Sequence, residues 1–202
     1  LIYSGINTKI KNYDYLQSKN DNYFSNKIPI NDYIHVHLDE KWFSSTYIKT
    51  YKDINPSFDQ FNNFINSLSK KNNILITTGL ISNNLIDRLL NESKAKIGDN
   101  IYTYNLSDNI IIVFKPTLLD LESLLRKTKI LISCHGALTH VAASLNVKII
   151  DIVEKSSDEL VKRYSLYIKK YYKVYRDNFK NLIQNINQKI WFFFKSLIIL
   201  KI

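Results

Sequence analysis

Lys41, His135, Gly136, Thr139 and His140 are the residues whose types and spacing suit a definite chemistry, the holding of an anion. The last four follow an apolar run of strand composition, Ile130 to Ser133, which Cys134-His135-Gly136 breaks with a turn. A helix is expected at once, because Leu138, Val141, Ala142 and Leu145 fall at i, i+3, i+4 and i+7. Such a turn exposes the first amides of the helix, here Ala137, Leu138, Thr139 and His140, with their partial positive charge. The adjacent glycine lets a ligand approach the backbone closely, and corners of this kind bind phosphates. Lys41 lies one loop away and supplies a point charge able to neutralise a diphosphate. The plainer reading is a strain-relieving glycine and a solvated lysine.

His35 and His37 share one side of a strand and, with Asp39, have the types of a metal site. No further ligand cluster accompanies them, so half-buried strand histidines and no metal are expected. Cys134 beside His135 has the types of a thiol nucleophile and its base, yet neighbours on one turn rarely face each other. Asp151 and Glu154, at the end of the strand after the turn, are candidates for ribose hydroxyls, or are simply loop acids. The stripe from Tyr164 to Tyr175, with Lys162, Arg163, Lys169, Lys170 and Lys173, suits lipid headgroups or nucleic acid, or is one basic amphipathic helix packed on the domain.

The elements that must position these groups read in order. Residues 1–30 are polar and are expected to be a linker or the tail of a preceding half. Tyr33 to Leu38 is a strand leading into the loop Asp39 to Ser45; Pro56 precedes a helix from about Phe58 to Ser69; Ile74 to Thr78 is a strand closed by Gly79. Ser82 is placed to cap a helix holding Leu85, Ile86, Leu89 and Leu90. Ile101 to Tyr104 and Ile110 to Phe114 are strands, and Thr117 with Asp120 starts the helix of Leu118 to Leu125. Val147 to Val153 is the strand after the turn helix. Strands alternating with helices give an α/β fold, a Rossmann-like parallel sheet with helices on both faces, over residues 31–155. Ligands of such sheets lie beyond the carboxyl ends of the strands, where the loops of Lys41 and Gly136 both emerge. Residues 156–202 are expected to form basic, aromatic carboxyl-terminal helices, starting with capping-box spacing at Ser156 and Glu159. Their last stretch, Trp191 to Ile202, is apolar but too short and too interrupted by Lys195 and Lys201 to span a bilayer. It is expected to pack on another domain or to lie in a membrane interface.

The chain has 202 residues, enough for one sizeable core, and a formal net charge of +10, which favours anionic partners. Lys, Asn, Ile and Tyr are abundant together, as an AT-rich genome imposes, so only part of that charge is read as function. One cysteine excludes an internal disulfide and cysteine-built zinc, and suits a reducing compartment. The chain starts at Leu1 and has no methionine, so it is expected to be a fragment.

The run Ile132-Ser133-Cys134-His135-Gly136-Ala137-Leu138-Thr139-His140-Val141-Ala142-Ala143-Ser144-Leu145 resembles glycosyltransferase family 9, the lipopolysaccharide heptosyltransferase group, in its carboxyl-terminal half. That family shows a strand, Asp-[Ser/Thr]-Gly-x-x-His-[Leu/Ile]-Ala-Ala-Ala, then a strand, and His140-Val141-Ala142-Ala143 matches best. Anchored there, His135 stands in place of the aspartate and Gly136 is one position early. Upstream, Tyr33 to Leu38, Lys41-Trp42, Phe58 to Ser69 and Ile74 to Gly79 follow the family's order of strand, Lys/Trp loop, helix, and strand ending in Thr-Gly. The resemblance implies the GT-B fold and a metal-independent transfer of sugar from a nucleotide-sugar donor to a glycan or glycolipid acceptor in cell-envelope polysaccharide synthesis. Lys41, His135 and the Gly136 to His140 turn would then contact the donor. The base would belong to an amino-terminal half that this chain lacks. A cytoplasmic protein, in contact with the inner face of an anionic membrane and without nucleic-acid partners, is expected. The rival reading is a non-catalytic nucleotide- or phosphoglycan-binding module at a membrane surface.

Overall fold

The computed structural model describes residues 23–46 and 54–199. The linker expected in residues 1–22 lies outside the described residues. Residues 23–30, read with that linker, pack on the domain: Ile28 and Ile30 are buried, and the Ser25 N–H donates to the Ser123 hydroxyl at 3.0 Å.

Eight strands form one sheet: β1 Tyr33–Leu38, β2 Ile74–Thr78, β3 Ser93–Gly98, β4 Ile101–Tyr104, β5 Ile110–Val113, β6 Thr128–Cys134, β7 Lys148–Val153 and β8 Tyr171–Tyr175. Their spatial order is β3-β4-β5-β2-β1-β6-β7-β8. From β5 to β8 all neighbours are parallel, while β3 and β4 add an antiparallel edge. The Rossmann-like parallel sheet anticipated from the alternation of periods is therefore present. The inner strands β2, β5, β6 and β7 read as near-continuous Ile, Leu and Val because they are covered on both faces.

The helices are α1 Phe58–Ser69, α2 Asn84–Asn91, α3 Leu118–Leu125, α4 Ala137–Ser144, α5 Asp158–Ser165 and α6 Phe179–Ile199. One face of the sheet, with Val36, Ile76, Ile112, Ile132, Ile150 and Val174, packs against apolar residues of α1, α2 and α6. The other, with Tyr33, Leu75, Ile111, Leu131 and Ile149, packs against α3, α4 and residues 28–30. Ser57 and Thr117 cap α1 and α3 through reciprocal bonds with Gln60 and Asp120. At α2 the cap is Asn83, whose side chain accepts from Leu85 and Ile86; Ser82 instead bonds Asp87.

Two readings of the carboxyl-terminal segment change. Tyr171 to Tyr175 is a strand and not part of a long helix, because Tyr-Tyr-Lys-Val-Tyr is β-prone and the open edge of β7 offers it a parallel partner. The helix before it starts at Asp158, and Ser156 makes no capping box. In α6, Ile190 and Phe193 pack on this domain's own core, while Trp191 and Phe192 remain exposed. Among the described residues no helix is long and apolar enough to cross a membrane.

Candidate functional site

The strand order fixes the place. From the central β1 the chain first builds β2 and β5 on one side, then crosses back and adds β6, β7 and β8 on the other. The reversal opens a crevice between the carboxyl ends of β1 and β6, the position at which doubly wound sheets bind ligands. Asp39 to Lys41 leave β1 there, and His135 and Gly136 leave β6.

The two loops meet through Lys41. Its ammonium donates to the His135 carbonyl at 3.0 Å and lies 3.6 Å from the Asp39 carboxylate. Asp39 also accepts the Lys41 backbone N–H at 3.1 Å, so one side chain fixes both the loop and its charge. Burial pushes the Asp39 carboxyl up to about 6 against the opposing pull of Lys41. Below the loop, Trp42 is fully buried and donates its indole N–H to the His37 carbonyl at 2.9 Å. Glycines flank the loop on both sides. A Cβ on Gly136 would occupy the place of the Lys41 ammonium, and one on Gly79 would come within 3.1 Å of the Asp39 Cα and nearer still to the Glu40 carboxylate.

Helix α4 begins at the turn, with no acidic residue in its first turn. The Gly136 N–H donates to the Thr139 hydroxyl at 3.4 Å, and the Thr139 N–H to the Gly136 carbonyl at 3.1 Å. That leaves Ala137 and Leu138 as the amides for which the helix itself supplies no acceptor. The side chains of Leu138 and Thr139 are buried, so these two residues can offer a ligand only their backbones. His140 is half exposed; its Nδ1 is 2.5 Å from the Tyr167 hydroxyl, and burial together with His135 lowers its pKa.

Asp151 is not an open loop acid. It lies inside β7, 0% exposed, beneath the turn, where its carboxylate meets His135 Nδ1 at 2.6 Å, the Tyr171 hydroxyl at 2.8 Å and the Thr139 hydroxyl at 3.1 Å. A ribose hydroxyl would have to displace these partners. Glu154 faces the buried Arg176, with 3.8 Å between Nε and Oε2. Arg176 follows β8 and donates to the Lys41 carbonyl at 2.5 Å and to Cys134 Sγ at 3.4 Å, so it ties the Lys41 loop to β6. The sequence places Tyr171 in a helical stripe and gives Arg176 no role; the run Tyr-Tyr-Lys-Val-Tyr ended by Arg176 is the signal for a strand that brings both to the site. Cys134 is buried, and burial pushes its thiol well up, which removes it as a nucleophile at neutral pH.

His35 and His37 do lie on one side of β1, but both turn to the same Thr77 hydroxyl, at 2.8 Å each. Burial lowers the pKa of both, that of His37 to about 4. Among the described residues no group of three or more His, Cys, Asp or Glu is placed to hold a metal ion.

A concavity of about 710 Å³ lies elsewhere, at the amino ends of the strands, lined by Asn31, Asn73, Asn109 and Lys129 among others. At the crevice, the cavity between Lys41, His135 and Arg176 measures only about 40 Å³, because the lysine rests on the turn. Strand-order reversal, converging charge and helix polarity locate a site better than volume does.

No protein-family profile matches the chain, and no curated protein matches it. Solved structures do. A UDP-GlcNAc 2-epimerase of Methanocaldococcus jannaschii, in complex with UDP-GlcNAc and UDP, is 14% identical with a TM-score of 0.50, covering 89% of this chain and 44% of that one. A Listeria monocytogenes protein assigned as a UDP-N-acetylglucosamine 2-epimerase is 10% identical with a TM-score of 0.52, covering 83% and 38%. The solution structure of ALG13 is 11% identical with a TM-score of 0.48, covering 78% and 85%. The chain thus spans about two fifths of the length of these epimerases. At such identities the likeness is one of fold, that of a Rossmann-like half of the GT-B type.

Proposed function

We propose that this chain is the donor-binding half of a glycosyltransferase of GT-B architecture, related to family 9, which transfers a sugar from a nucleotide-sugar to a glycan or glycolipid of the cell envelope. The observation that carries the reading is the meeting of the Lys41 ammonium with the Gly136 turn at the reversal of strand order. A diphosphate laid over the turn would take hydrogen bonds from the Ala137 and Leu138 amides and charge from Lys41, after the lysine releases the His135 carbonyl. In sugar transfer the bond from the anomeric carbon to the diphosphate oxygen breaks, and negative charge grows on the departing diphosphate. Fixed amides and an ammonium aimed at that charge stabilise the transition state, the role a metal takes in other transferases. The group that takes the acceptor's proton is assigned to no residue of this chain. Work at the inner face of a membrane belongs to the same proposal. The Methanocaldococcus jannaschii epimerase of this fold is in complex with UDP-GlcNAc and UDP, which supports testing uridine nucleotides first. Calorimetry with UDP, ADP and GDP in the presence of a chelator is expected to show saturable binding of at least one of them. Absence of heat with all three at millimolar concentration would remove the donor-site reading.

A further inference from the structure

We propose that the rim of the sheet at the amino ends of its strands is a docking face for anionic lipid, which lays the protein on a bilayer with the crevice turned away from it. The inference rests on the membrane-surface part of the reading above and deepens it by naming the face. Charge is divided unevenly between the two ends of the sheet. At the carboxyl ends the cations stand beside carboxylates: Lys41 by Asp39, Lys173 by Asp158 and Arg176 by Glu154. At the amino ends Lys71 precedes β2, Lys129 and Lys148 stand at the starts of β6 and β7, and Lys170 precedes β8. Among the described residues none of these four lysines is paired with a carboxylate. Neighbouring strands lie about 4.8 Å apart, so cations at the ends of strands in one sheet form a row. Lys148 is close enough to Lys170 and Lys129 that their charges add to burial in lowering its pKa. The concavity of about 710 Å³ opens on the same rim, and its lining sets Lys70, Lys71 and Lys129 against one acid, Asp32. Cations crowded in this way are stabilised by an anionic surface.

Apolar side chains adjoin the row where β8 ends the sheet. Helix α6 returns from the carboxyl end of β8 to its amino end, where the Lys148 ammonium donates to the Phe193 carbonyl at 3.3 Å and the Phe193 ring centroid lies 4.5 Å from that of Tyr172. There Trp191 is 54% exposed, and Leu166, in the turn that leads to β8, is 76% exposed. The Lys189 ammonium lies over the rings of Tyr172 and Phe192. Rings and aliphatic chains among long cationic ones suit a bilayer boundary, since the apolar groups enter it and the ammonium groups reach the headgroups. A side chain such as Leu166 gains little from a nucleic-acid strand, so lipid is the occupant this face fits. Strands of five to seven residues are roughly 20 Å long, which leaves the crevice in water at about that distance from the lipid.

The experiment is sedimentation of the full chain, without nucleotide, on vesicles of phosphatidylglycerol and phosphatidylcholine in equal parts. Lys129→Glu with Lys170→Glu is expected to lower partitioning by on the order of thirtyfold, at about fivefold for each basic residue lost near the surface. Lys115→Glu with Lys155→Glu, which follow the carboxyl ends of β5 and β7 more than a Debye length away, is expected to change it little. The two tryptophans give a second reading. Trp191 lies on the rim and Trp42 is buried beneath the crevice loop, so bromine-labelled lipid is expected to quench the bound chain, and Trp191→Phe, still bound, to lose that quenching. Sedimentation that ignores the rim reversal, or quenching that persists in Trp191→Phe, would overturn the face and leave a membrane role standing. Retention by an oligonucleotide with no sedimentation on vesicles would overturn the lipid assignment in favour of nucleic acid. Failure to sediment on anionic vesicles at all removes the membrane reading and the face with it, while the donor site is judged separately by nucleotide calorimetry.

Discussion

At the scale of residues, Lys41 and Gly136 work as one device. A Cβ at Gly136 would meet the Lys41 ammonium, the mobile end of a side chain held on the turn by a carbonyl and a carboxylate. Gly136→Ala is therefore expected to dislodge Lys41 and to lower diphosphate affinity by about 1.5–3 kcal/mol, the scale of a hydrogen bond to a charged group. Combined with Lys41→Ala it should cost little more than either change alone, since both remove the same contact. Full additivity in a double-mutant cycle would show that the glycine serves something else. Both residues were legible in the sequence by type and by position after a strand. Asp151 was legible only as an acid near a strand end, because its three partners lie 12, 16 and 20 residues away along the chain. Arg176 was legible only as the residue that ends a β-prone run, and its contacts were not, since those with Lys41 and Cys134 span 135 and 42 residues.

At the scale of elements, long periodic segments could be read and edges could not. The bounds of α1, Phe58–Ser69, are those its apolar spacing gives, and Ser57 and Gln60 close its start. By contrast β3, Ser-Lys-Ala-Lys-Ile-Gly, lies at the sheet's margin with four of its six residues exposed and carries no alternating apolar pattern. Its lysines are what an edge strand needs to discourage pairing with other chains. Helix α5 and the turn after it expose Leu160, Tyr164, Leu166 and Tyr167 among Lys162, Arg163, Lys169 and Lys170, the observation that favours a membrane-surface role. Ile190 and Phe193 belong to the core, so the test is a charge reversal on α5 that leaves α6 whole. Lys162→Glu with Arg163→Glu leaves the core intact and is expected to weaken co-sedimentation with anionic liposomes, by about 1 kcal/mol per basic residue lost, with the remainder suppressed by salt. Equal sedimentation of the two proteins would exclude this face as the lipid contact.

At the scale of the whole molecule, the central strand links stability to the site. β1 carries His35 and His37 in a buried row and delivers Asp39 and Lys41 to the crevice. His37, at about 4 in the folded chain against an ordinary 6.5, binds fewer protons folded than unfolded between those values. Its contribution is thus complete above pH 6.5 and is lost as pH falls toward 4, on the order of 3 kcal/mol, with His35 acting in the same direction. Asp39, raised from 3.8 to about 6, acts oppositely, its contribution being lost as pH rises through that window. Two histidines outweigh one aspartate, so denaturant unfolding should show stability falling from pH 7 to pH 4.5, and the fall should be shallower in His37→Asn. A flat profile would mean that the histidines accept protons in place.

The reversal of strand order brings Lys41 onto the Gly136 turn, the place proposed for a diphosphate. The most direct test compares Lys41→Ala with the unaltered chain by calorimetry, using a nucleoside diphosphate and the matching nucleoside, in chelator and with folding checked by circular dichroism. The expected result is a loss of roughly 1.5–3 kcal/mol for the diphosphate and almost none for the nucleoside. Diphosphate affinity unchanged within error in a folded Lys41→Ala chain would contradict it.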